Sequence, residues 1–112
     1  MTRAEVEAVA TALPGAAKVT LWDRLDVYKV RGRVFASCGE RDGLTFRASQ
    51  ILYAVLIDDG PGRPAPGFVP GGWVNLPLAE ADAADAAGWI ENSHRLAAAG
   101  LTRKVRQELG LA

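Results

Sequence analysis

The chain is short of nearly every residue type that announces a chemistry. It holds one cysteine, one histidine and one methionine. Cys38 alone cannot close an intramolecular disulfide and suits a reducing compartment. His94 has no second histidine with which to build a metal site. No run approaches the ~20 apolar residues of a membrane span. The opening Met1-Thr2-Arg3-Ala4-Glu5 lacks the long apolar core of a signal peptide. A cytoplasmic protein with no membrane contact is therefore expected. Neither sign of charge is in excess, because 13 basic residues cancel 13 acidic ones. That counts against a general nucleic-acid or membrane-surface binder and leaves a local basic patch open. No nucleophile elbow, Walker loop or dinucleotide fingerprint occurs. No cofactor is implied and no catalytic constellation stands out.

What is present describes a single domain over residues 1–112, with 49% apolar and 23% charged residues. A chain of this length buries roughly two-thirds of its unfolded surface, enough to fold without staples. The reading is α+β: an antiparallel β-sheet with N- and C-terminal helices packed on it.

Thr2 and Glu5 form a capping box, and Val6, Val9, Ala10 and Leu13 share one face of a helix over 3–13 that Pro14-Gly15 ends. Lys18–Trp22 reads as a strand. Asp26–Cys38 has the pattern of a tight hairpin. Two loops are open to it. Gly32–Arg33 is preferred, since glycine would stand first in a type II′ turn and Val30 would face Phe35; Arg31–Gly32 would pair Tyr28 with Phe35. Leu44–Arg47 is another strand after the Asp42-Gly43 turn signal. Periodicity does not separate helix from strand over 50–57, but the Ser49 cap and the Asp58-Asp59 stop favour a helix. Residues 60–72 hold most of the glycine and proline and read as an irregular loop. Trp73–Leu76 is a last strand, ended by Pro77. A helix from about Ala81 to Ala99 would turn Ala83, Ala86, Ala87, Ile90, His94 and Ala97 inward, and Thr102 caps a short final helix ending near Leu109.

Together these segments resemble one family. An N-terminal helix ends in Leu13-Pro14-Gly15. A strand pair carries Val27–Ala36, and Gly72-Trp73-Val74 follows the Gly/Pro-rich loop. The end reads Trp89–Leu96, then Leu101–Arg106. This order of signals resembles the MmcQ/YjbR-like family of small bacterial proteins. The resemblance implies a sheet with helices packed on it, similar to the CyaY-like arrangement. It also implies a DNA-binding role through a double wing of loops. The middle segment 50–72 departs from the family pattern in being Gly/Pro-rich and short of charge, and His94 stands where an aromatic is common.

The candidate chemistry is basic. Lys29, Arg31 and Arg33 cluster at the hairpin, with Arg47 in the next strand and Arg103, Lys104 and Arg106 in the last helix. Exposed cations of this kind suit phosphate contacts; they also discourage edge-to-edge pairing of strands. The main reading is a non-enzymatic binding or interaction module with a protein or small-ligand partner, and the alternative is DNA binding through these seven residues. An interaction surface would expose Phe68, Trp73 or Trp22. An enzyme would need polar groups converging near Cys38 or His94. Asp82 and Asp85 read as helix N-terminal charges.

Overall fold

The computed structural model describes residues 1–65 and 71–111, so Phe68 lies outside the described residues. The first helix, α1, spans Arg3–Thr11. Its capping box forms as the sequence dictates: Thr2 accepts from the Glu5 amide and Glu5 accepts from the Thr2 amide. Val6 and Ala10 are fully buried. The strands β1 (Ala16–Leu21), β2 (Leu25–Val30), β3 (Arg33–Gly39) and β4 (Gly43–Arg47) follow as an antiparallel meander. The apolar run after Ser49 is a helix, α2 (Gln50–Asp58), and the Ser49 hydroxyl accepts from the Leu52 amide. Next come β5 (Arg63–Pro64), β6 (Trp73–Leu76), a 3₁₀ turn at Leu78–Glu80, α3 (Ala83–Ala99) and α4 (Arg103–Glu108).

The six strands form one antiparallel sheet in the order β1-β2-β3-β4-β6-β5. The two-residue β5 falls inside the segment read as loop. Two residues hold too little pattern to show a strand, and pairing with β6 creates it. α1 and α3 pack on each other and on the central strands, and α2 packs beside β5 and β6. Tyr28, Ala36, Phe46 and Val74 stand in one cross-strand row, all fully buried in the core beneath these helices. Neighbouring positions, Val27, Ser37, Thr45 and Asn75, form a second row on the opposite face.

Two sequence expectations are corrected. The β2–β3 loop is Arg31–Gly32, with Val30 opposite Arg33 and both loop residues at positive φ, 48° and 81°. That is the type I′ signature, not II′. The register then shifts by one residue beside Tyr28, which pairs with Ala36 and leaves Phe35 in a β-bulge. The bulge lets two consecutive residues, Phe35 and Ala36, enter the core and moves Ser37 to the other face. Second, Ala83 is exposed. Asp82 is the N-cap of α3, accepting from the Asp85 amide, so Ala83 is only the first helical residue and the buried stripe begins at Ala86. It continues through Ile90, Ser93, His94 and Ala98.

Ser93 ties this helix to the sheet. Its hydroxyl donates to the Phe35 carbonyl at 2.6 Å and accepts from the Arg47 amide at 2.9 Å. Gly43 shows why its position carries no side chain. Its φ is +73°, and a Cβ there would lie 2.4 Å from the Leu76 carbonyl oxygen.

Candidate functional site: the basic end of the sheet

The hairpin turn and α4 meet at one end of the sheet. The Arg31 guanidinium lies 3.5 Å from the Glu108 carboxylate. Arg33 donates to the carbonyl of Gly100, the C-cap of α3, at 3.0 Å. Cations suit that end of a helix, where carbonyls lack helical partners. These two contacts bring Arg103, Lys104 and Arg106 on α4 alongside Arg31 and Arg33. Lys29 and Arg47 stand at the same end of the sheet but on the opposite face, since Tyr28, Val30 and Phe46 beside them turn toward the helices. Five of the seven sequence-named residues thus share one surface and two flank it from behind.

The neutral chain proves strongly polarised once folded. Lys29, Arg31, Arg33, Arg47, Arg95, Arg103, Lys104 and Arg106 gather at the hairpin end against Glu91 and Glu108. Of the other five cations, Arg3 and Lys18 pair with Asp26 and Glu7, and Arg41 and Arg63 line a cavity with Glu40 and Asp42. Among the described residues, three ion pairs form: Arg3–Asp26, Lys18–Glu7 and Arg31–Glu108. So Arg31 alone of the basic cluster has a carboxylate within pairing distance, and that pair is half exposed and weak.

The opposite end shows the contrast. Asp26 is buried and accepts two hydrogen bonds from Arg3 and one from Thr20. The Arg3 hydrogen bond holds its carboxyl below the usual carboxylate range, against the cost of burial.

The two residues considered for catalysis are kept apart in role. Cys38 is fully buried and its thiol is pushed up to about 11 by burial. His94 is buried against the edge of Phe35, ring centroids 5.1 Å apart, with Nε2 2.8 Å from the Pro14 carbonyl. His94 lines a cavity with Pro14 and Arg95. No group of three or more His, Cys, Asp or Glu side chains able to hold a metal occurs among the described residues. Of the aromatics named for an interaction surface, Trp22 is 78% exposed and Trp73 is buried. Trp73 of β6 pairs with Arg47 of β4, which only the β4–β6 register shows.

Arg95 belongs to this end and was not singled out by sequence. Its spacing of four from Glu91 was the available sign.

A sequence model of the YjbR family matches residues 11–96. The chain belongs to the YjbR family. No curated protein matches it. Among solved structures it is similar to the crystal structure of Deinococcus radiodurans protein DR2400, whose family-model domain is DUF419. That likeness has a TM-score of 0.80 at 24% identity and covers 99% of this chain and 89% of that one. At that identity the likeness speaks for the fold, and the α+β sheet-and-helix architecture of this YjbR-family chain is shared. Among the described residues, no helix is long and apolar enough to cross a membrane.

Proposed function

We propose that this YjbR-family chain is a non-enzymatic nucleic-acid-binding module whose basic hairpin end contacts the phosphate backbone. The carrying observation is the separation of charge within a neutral chain. Eight cations gather around the β2–β3 turn and α4 with two carboxylates for company. Phosphates release counterions from such a surface, and binding becomes steeply salt-dependent. The acidic remainder of the molecule repels the same polyanion and so orients the approach. The turn is the foremost element, because Arg31 projects at its apex beside α4. The non-enzymatic part rests on the buried thiol of Cys38 and the engagement of His94 with a backbone carbonyl.

The test is fluorescence anisotropy of a mixed-sequence duplex between about 20 and 200 mM salt. Arg31→Asn is the informative variant, since asparagine accepts the left-handed turn conformation while removing the charge. It should weaken binding and reduce the salt slope by about 1. A slope unchanged in R31N would place the contact elsewhere.

A protein-interaction reading rests on a separate surface. Val19, Leu21 and Trp22 are exposed at 44%, 37% and 78% along the outer strand and its turn. Exposed apolar side chains grouped in one strand and its turn suit a partner. Trp22→Ser should then abolish any concentration-dependent sedimentation while leaving duplex binding intact.

A further inference from the structure

We infer that the cavity between the end of α1, α3 and α4 binds a free amino acid with an apolar side chain. Glu91, His94, Arg95 and Ala98 fall at helical spacing along one face of α3 and form its floor. Leu13 and Pro14, just past α1, close it on one side, and Arg106 of α4 with Leu111 beyond that helix on the other. Its volume is about 440 Å³, within the range of small-molecule sites.

The polar groups there are of two kinds. Arg95 and Arg106 are cationic forks suited to a carboxylate. Glu91 and His94 supply acceptors. The Pro14 carbonyl can only accept, so His94 donates to it through Nε2. In the neutral ring that fixes Nδ1 as an acceptor, and Nδ1 has no partner among the described residues. His94 is 3% exposed, a polar ring built into the floor rather than a surface side chain. A ligand that satisfies both kinds of group carries a carboxylate and an ammonium together. The walls of Leu13 and Leu111 favour an apolar side chain beside them.

The cavity shares Arg95 and Arg106 with the nucleic-acid surface but does not depend on that reading. The experiment is calorimetric titration of the full chain, without nucleic acid, with three probes: L-phenylalanine, 3-phenylpropanoate lacking the ammonium, and 2-phenylethylamine lacking the carboxylate. Saturable binding of phenylalanine is expected, with each half-ligand weaker by at least about tenfold. Glu91→Gln should bring phenylalanine and phenylpropanoate to similar affinity, while duplex binding by E91Q stays level or strengthens. Equal affinity of all three probes for the unaltered chain, or no saturable heat with phenylalanine up to about 10 mM, overturns the inference. The three-probe comparison needs no variant, so it holds whether or not E91Q folds.

Discussion

Ser93→Ala should be among the most damaging single changes that remove one atom. Ser93 is 1% exposed and its hydroxyl ties two elements together. It donates to the carbonyl of Phe35 in the β3 bulge and accepts from the amide of Arg47, one residue beyond the last β3–β4 pair. Alanine leaves a buried carbonyl without its side-chain donor and an amide without its acceptor. Each such group costs about 1–3 kcal/mol, so with some relaxation of the bulge the loss is about 3 kcal/mol. At about 2.1 cal/mol/K per residue, a 112-residue chain loses about 4 °C in Tm for each kcal/mol, roughly 12 °C in all. Thermal and urea unfolding of the two proteins measure it. The variant should also lose order at the neighbouring residues Phe35 and His94, whose rings meet edge to face. A fall of less than about 4 °C would mean that α3 is held by apolar packing alone and that Ser93 does not anchor the bulge.

The β1–β2 turn holds Trp22 and Asp23 at φ 51° and 55°, a conformation that suits Asn-Gly. Trp22→Asn with Asp23→Gly should raise stability by about 1–2 kcal/mol, and an unchanged Tm would show that the turn carries no strain. Asp26 titrates below its ordinary range in the folded chain, so its stabilisation is complete above the unfolded carboxylate value near 4 and is lost as pH falls through the lower folded value. Stability of the parent chain should therefore decline with acid more steeply than that of Asp26→Asn, and parallel declines would contradict the Arg3–Asp26 assignment. Cys38, with its thiol pushed up to about 11 by burial, should resist a thiol reagent at pH 8 until the chain unfolds; prompt native-state labelling would show the strand end opening.

Much of the fold was written in local signals. Thr2 with Glu5, Ser49 and Thr102 each cap the helix their position implies, because a cap is decided within four residues. Polar and apolar residues interleave through Val27–Val30, and β2 forms there with Asp26, Tyr28 and Val30 buried. The register of the hairpin was not legible. Glycine fits either loop, and the choice falls to Arg33 reaching Gly100 and to the bulge that brings Phe35 to His94, contacts 67 and 59 residues apart in sequence. The basic cluster was legible as residues but not as a surface. Arg31 meets Glu108 only because α4 folds back to the turn, and the split of a neutral composition into opposed ends is a property of strand direction. The place of Arg95 was hidden for the same reason, since the residues that line the cavity with it include Leu13, Pro14 and Arg106, distant in sequence or on another helix.

The most direct measurement is duplex binding by the full chain as salt is raised from about 50 to 200 mM. If the basic end grips phosphates, affinity falls with a log–log slope of roughly −3 to −5, as several cations contribute together, and the slope shallows by about 1 in Arg31→Asn. Anisotropy that stays at the free-duplex value at about 20 mM salt, with a folded protein in the cell, would contradict the nucleic-acid assignment outright.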